Sequence, residues 1–308
     1  MKTALFSHTD CLKHVEIPGH AEQRARLTAV LDALRAADLN LLEQDAPLAK
    51  REDLLRVHNK GYVDQILDNV PLEGWKQLDP DTAQSPGSAL AALRAAGAVI
   101  AAVDGVVAGD FKRAFCAVRP PGHHARPGTA MGFCLFNSVA IAAKYARDVH
   151  GLARVAVVDF DVHHGNGTQE MFWDEPGLFY ASIHQEGFYP GTGKADERGK
   201  RGRIINAPLP AGTDGAGWRQ AYEDHIHPAL QGFAPELVLL STGFDGHRDD
   251  PLAQFNLRSA DFAWITDKLV DLAKETANGR VVSVLEGGYD LAALGRCCAA
   301  HVRALGKA

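Results

Sequence analysis

The sequence contains no Cys-x-x-Cys pair, no internal repeat, no low-complexity tract and no excess of positive charge. Its five cysteines (Cys11, Cys116, Cys134, Cys297 and Cys298) are odd in number and two are adjacent, which argues against a disulfide framework and for a reducing compartment. The 32 basic and 38 acidic side chains leave a net charge of −6, so broad binding to a phosphate backbone is not expected, although a small basic patch would be compatible. No uninterrupted apolar stretch reaches the ~18 residues of a membrane span. The richest, Ala89 to Ala108, is broken by Arg94 and Asp104, and the opening run from Met1 to His8 is too short for a signal peptide. A cytoplasmic protein with no nucleic-acid or membrane partner is the expectation.

What remains is an ordinary globular composition over 308 residues, 46% hydrophobic and 23% charged. That length admits one large domain or two average ones, and no composition shift marks a boundary, so 1–308 is read as a single domain. Short, continuous apolar runs alternate with helical patterns. Val155–Val158, Leu237–Leu240 and Val281–Leu285 have the pattern of strands buried on both faces, with Ala4–Phe6 and Ala114–Val118 as weaker examples. Helical spacing is expected from Ala21 to Leu39, Ser88 to Val107, Asn137 to His150 with Asn137 as cap, Asp214 to about Gln231, Ala260 to Ala277 and Asp290 to Leu305. Pro190 to Arg203 is expected to be a surface loop. The alternation predicts an α/β fold, a three-layer αβα domain around a mostly parallel sheet.

In such sheets ligands bind beyond the carboxyl ends of the strands, so the residues after each run are informative. They are Arg119-Pro-Pro-Gly-His-His124, Asp159-Phe-Asp-Val-His-His-Gly-Asn-Gly-Thr168, Ser241-Thr-Gly-Phe-Asp-Gly-His247 and Glu286-Gly-Gly-Tyr-Asp290. Asp161 and His163 are two apart, so in an extended segment both face one side. Asp245 could be a third ligand, and three N/O ligands with an open position are the pattern of catalytic zinc. Either Asp159 or Asp161 alone would pass for a cap or a turn residue; the convergent set reads as a metal site. Neutral His123 or His124 beside a metal-activated water could accept its proton, and the Tyr289 phenol could donate to a developing oxyanion.

These segments, with Gly132-Phe-Cys-Leu-Phe-Asn137, Tyr189-Pro-Gly-Thr-Gly193 and Asp250-Pro-Leu252, run in order along the chain. Together they resemble the zinc-dependent histone deacetylases of the arginase–deacetylase fold, most closely the class II and bacterial branch. The resemblance implies zinc on Asp161, His163 and Asp245. It also implies His124 as general base and then acid, His123 as its electrostatic aid, Asp159 on His123, Asn166 on His124, and Tyr289 on the scissile carbonyl. Phe133, with Phe188 or Tyr189, would wall a narrow tunnel bounded by Gly132 and Gly288, with Leu252 at its rim. A structural potassium ion would sit on main-chain oxygens of Asp159, Asp161 and His163 with Ser182.

The implied reaction is removal of acetyl or another acyl group from an amine such as acetyl-lysine, with an acetylpolyamine or other small amide as the alternative substrate. An assembly of like chains stays open. Leu252 stands where polyamine-preferring relatives carry an acidic gate, which favours acyl-lysine, although Asp81 could reach in from a loop. A binuclear ureohydrolase of the same fold would need carboxylates where Gly165 and His247 stand, and a non-catalytic binder would lack Tyr289. Two departures stand out. The first-loop motif, usually His-Pro-Glu-x-Pro-x-Arg, reads His20-Ala-Glu-Gln-Arg-Ala-Arg26, and Asn166 stands where class I enzymes have Asp, so it brings no charge to raise the pKa of His124.

Overall fold

A computed structural model describes residues 2–307. Its strands are β1 (Ala4–Ser7), β2 (Leu42–Asp45), β3 (Lys76–Asp79), β4 (Thr82–Gln84), β5 (Arg113–Cys116), β6 (Val155–Asp159), β7 (Leu178–Gln185), β8 (Ile204–Leu209), β9 (Leu237–Thr242) and β10 (Val281–Leu285). The helices are α1 (Arg24–Ala36), α2 (Arg51–Leu54), α3 (Lys60–Asp68), α4 (Ser88–Ala108), α5 (Ser138–Asp148), α6 (Asn166–Phe172), α7 (Gly215–Ala221), α8 (His227–Phe233), α9 (Ser259–Thr276) and α10 (Leu291–Leu305). Eight strands form one parallel sheet in the order β2-β1-β5-β10-β9-β6-β7-β8; β3 and β4 form a separate antiparallel pair.

Every residue of β6, β9 and β10 is buried, which is why their sequences are mostly apolar instead of alternating, with polar side chains only at Asp159, Ser241, Thr242 and Ser283. Helices cover both faces, with α1, α10 and α9 packed side by side and α4 against α5. The expected αβα layering is therefore present. α4 is long and apolar enough to pass for a membrane span, contrary to the expectation that Arg94 and Asp104 disqualify it, but 67% of its apolar window is buried inside the fold. Both charges are paired at its surface, Arg94 with Asp10 at 2.9 Å and Asp104 with His150 at 2.7 Å.

The caps fall where the side chains suggest. Asn137 accepts from the Ala140 amide, Asp290 from Ala293, and Asp214 from Ala216 and Gly217, each satisfying otherwise orphaned N–H groups. The helix begun at Asp214 is not regular, because a π-helical turn, Tyr222–Ile226, separates α7 from α8. Of the chain between Pro190 and Arg203 no part is helix or strand, as expected of a loop. The four strands whose ends carry the candidate chemistry, β5, β10, β9 and β6, are adjacent, and their parallel register brings their carboxyl ends to one edge.

Candidate active site

Immediately beyond β6 the chain bends, and the bend rather than an extended strand puts Asp161 and His163 on one side. The His163 amide donates to Asp161 Oδ1 at 2.9 Å, and the ring Nδ1 lies 3.0 Å from the same oxygen. From the end of β9, Asp245 brings Oδ2 to 3.1 Å from that Nδ1. Backbone amides hold both carboxylates: Gly287 donates to Asp161 Oδ2 at 2.8 Å and Val162 to Asp245 Oδ1 at 3.0 Å. One ligand atom from each of the three residues lies within 4.8 Å of the others, and all three residues are buried. Two carboxylates and an imidazole nitrogen pointed at one centre, out of water, need a cation between them.

The acid–base balance of the three groups shows how strongly the cluster draws positive charge. Burial opposes charge on His163, but its bonds to Asp161 and Asp245 outweigh that and raise its pKa to about 10. Burial and then the Asp161 charge push Asp245 up to about 7. Asp161 is the stronger acid: burial raises it, but His123 and His163 together hold it below the usual carboxylate range.

Beside the cluster stand the two histidines that follow Pro120 and Pro121, with ring centroids 4.0 Å apart. His123 Nδ1–H donates to Asp159 Oδ2 at 2.9 Å. Burial disfavours its charge, yet the Asp159, Asp161 and Glu286 carboxylates prevail and lift it to about 10. His124 is driven the other way, well below the usual imidazole range, by burial and by the neighbouring charges of His123 and His163. Its Nδ1 faces Asn166 Oδ1 at 2.8 Å, an acceptor, so Nδ1 carries the proton and Nε2 the lone pair. The environment thus makes one member of the pair a fixed cation and the other a neutral base.

Tyr289 lies opposite, 5.8 Å edge-on from the Phe133 ring and 4.8 Å under the Arg26 guanidinium. Burial raises its pKa well above 10 despite the opposing charge of Arg26, with the Asp245 and Asp161 charges adding to the rise, so the phenol keeps its proton. Gly132, with φ +55, passes so close to His124 that a Cβ there would sit 2.3 Å from the ring; Gly288 takes φ +118 in the turn before Tyr289. Phe188 stacks on His163 at 5.5 Å and Tyr189 meets His124 edge-on at 5.1 Å. Of the aromatics expected to wall a tunnel, Phe188 and Tyr189 both pack on His163, and Phe133 packs on Tyr289 and His20. Leu252 is half-buried on the turn after Asp250, and Pro251 rather than Leu252 lines the cleft of about 540 Å³ that opens beside Tyr289. Asp81, considered a carboxylate that might reach in, is held by the Gly132 amide at 2.9 Å and the Thr82 hydroxyl at 2.6 Å. Ser182 pairs in register with Asp159, and its hydroxyl bonds His184 Nδ1 at 2.9 Å.

Sequence reasoning missed a buried frame behind these groups. Arg26 donates to the carbonyls of Gly288 and Glu286, both at 2.6 Å, and to Glu22 at 3.0 Å. Glu22 also receives two bonds from Arg119, and Asp250 Oδ2 accepts the Tyr289 amide at 2.6 Å. The loss of both prolines from the first-loop motif therefore leaves its Glu22–Arg26 pair intact; the four-residue spacing was the available signal. A second-metal carboxylate at Gly165 has no room, since a Cβ there would lie 2.2 Å from Asp159 Oδ2.

Comparison with known proteins bears on the family and the fold. Residues 20–305 match the histone deacetylase domain. The chain is 40% identical to histone deacetylase 14, chloroplastic, of Arabidopsis thaliana, over 98% of this chain and 76% of that one. It is 38% identical to the histone deacetylase-like amidohydrolase of Pseudomonas aeruginosa, over 99% and 86%. The crystal structure of the HDA15 HD domain superposes with a TM-score of 0.94 at 35% identity, covering all of this chain and 89% of the other. Sequence, fold and site agree: this chain belongs to the histone deacetylase family, within the deacetylase and amidohydrolase class of hydrolases.

Proposed function

We propose that this protein is a zinc-dependent deacylase that removes acetyl groups from acylated amines such as acetyl-lysine. The observation that carries the reading is the juxtaposition of a buried two-carboxylate, one-imidazole cluster with a neutral histidine, a cationic histidine and a protonated phenol. That donor set fits zinc, to be held by Asp161, His163 and Asp245. Bound there, zinc supplies Lewis acidity that polarises the acyl carbonyl and acidifies the attacking water.

The chain's own residues do the rest. His124, with Nδ1–H engaged by Asn166, takes the water proton on Nε2 and returns a proton to the departing amine nitrogen as the acyl C–N bond breaks. His123, held cationic by Asp159, keeps a positive charge beside the negative charge that develops. Tyr289 donates its O–H to the acyl oxygen as that oxygen gains charge. Phe133, Phe188 and Tyr189 exclude water around the reacting centre. A potassium ion on the main-chain oxygens near Asp159, with Ser182 across the ladder, belongs to the same proposal.

The test is a turnover screen of acetyl-lysine peptides beside acetylated polyamines, with metal analysis. Peptide turnover that depends on zinc is expected; a preference for polyamines would select the alternative substrate, and no turnover of either would end the deacylase reading. Asp161→Ala and His163→Ala should each lose metal and activity together, and stoichiometric zinc in both variants would remove these ligand assignments.

A further inference from the structure

Glu286 is a buried carboxyl group that the mechanism above does not use. It follows β10 directly and is 1% exposed. Its Oε2 accepts from the Gly122 amide at 2.6 Å and the His123 amide at 3.2 Å, and its Oε1 accepts the hydroxyl of Ser241 near the end of β9 at 3.0 Å. Its own amide donates to the Thr242 carbonyl at 3.0 Å. One side chain thus ties three neighbouring strand ends together.

We propose that Glu286 is a positioning residue for the tandem histidines, fastening the Gly122–His123 backbone to the ends of β9 and β10. The inference rests on the deacylase reading above. The segment needs such a fastener because Pro120 and Pro121 have no N–H to offer. After Arg119, the first backbone donors are the amides of Gly122 and His123, and both go to Glu286. Without an acceptor there, two buried N–H groups would be unpaired at the root of the catalytic histidines. Burial raises the carboxyl to about 7 against the charge of His123, and either protonation state serves: Oε2 accepts both amides, and a proton on Oε1 would face the Ser241 oxygen. The acceptor geometry rather than the charge is therefore what holds the loop, and a glutamine should replace it, its oxygen toward the amides and its NH₂ toward Ser241.

The experiment compares wild type, Glu286→Gln, Glu286→Ala and Glu286→Asp at matched metal content. It measures kcat and KM on one acetyl-lysine peptide and amide hydrogen exchange across residues 119–128. An active site displaced by about 1 Å loses on the order of 100-fold. The alanine variant should therefore lose about that in kcat with KM little changed, and the Gly122 and His123 amides should exchange faster; glutamine should restore both protection and turnover. Wild-type protection and kcat in the alanine variant would overturn the proposal, as would a folded glutamine variant as impaired as alanine, which would assign the effect to charge. Should the alanine variant fail to fold, the aspartate variant decides, because it keeps the charge and loses the reach: lost protection and kcat support the proposal, and wild-type behaviour overturns it. Absence of turnover in the wild type would count against the deacylase reading instead, and hydrogen exchange would still decide the role of Glu286.

Discussion

Two imidazoles 4.0 Å apart, identical in chemistry, shift in opposite directions because burial opposes charge on both, carboxylates overcome it at His123, and the neighbouring charge of His123 adds to it at His124. The same logic applies to Tyr289, whose hydroxyl matters only once the acyl oxygen gains charge. Tyr289→Phe should keep metal and KM while kcat falls roughly 10²–10³-fold, the usual effect of losing one oxyanion donor. Near-wild-type kcat at matched zinc content would show that the phenol points elsewhere. A second residue-scale expectation concerns the ligands. On the proposed zinc assignment, His163, raised to about 10, would give up the proton it holds at neutral pH when the metal binds. Calorimetric titration with zinc at pH 7, in buffers of different ionisation enthalpy, should show release of about one proton or more per ion. Binding without proton release would contradict the assigned state of His163.

At the scale of elements, helix α1 reaches the catalytic turn through one side chain. Arg26 is fully buried, braces the carbonyls of Glu286 and Gly288 and shares Glu22 with Arg119. Removing one partner of a buried charge set is far costlier than never having built it. Arg26→Met should destabilise the fold by about 3 kcal/mol, at the low end because Arg119 still pairs with Glu22, and denaturant titration measures this. A change below ~1 kcal/mol would show that Arg119 alone satisfies Glu22. This frame was the least legible part of the site, since its members lie up to 262 residues apart and meet only through the fold. By contrast β6, β9 and β10 announced themselves, because strands buried on both faces carry mostly apolar runs, broken within a strand only by Ser283. β7 did not: Ser182, His184 and Gln185 are buried but polar, each occupied with hydrogen bonds near the site, and they break the apolar run. β2 escaped notice because all four of its residues are exposed and only its ladder with β1 holds it. The candidate metal trio and the tandem histidines were legible from their positions after strands. The packing of Phe188 and Tyr189 onto the cluster depended on a loop whose path no spacing dictates.

Across the whole molecule, the interior is unusually rich in neutral histidine, and that sets how the fold should answer acid. Burial lowers His58 and His164 to about 4 and His184 and His301 to about 3, and His124 is also well depressed. Each binds a proton in the unfolded chain near 6.5 but not in the fold, so each withdraws stability as pH falls below that value. His123 and His163 are protonated in both states there and contribute no slope; what they contribute is complete below 6.5 and is lost as pH rises through about 10. Asp245 and Glu286, raised to about 7, work the other way between 4.5 and 7, because the fold holds a proton that the unfolded chain releases. His247 is lowered too, and Asp79, Asp159 and Asp250 are raised, so six depressed histidines stand against five raised carboxylates, and the metal-free protein should lose stability on acidification from 6.5 to 4.5. A net of about one proton gives a slope of roughly 1 kcal/mol per pH unit. Chemical denaturation at several pH values measures that slope directly. Stability that stays flat or rises toward pH 4.5 would mean that the buried histidines are charged in the fold, and the neutral base assigned to His124 would fall with them.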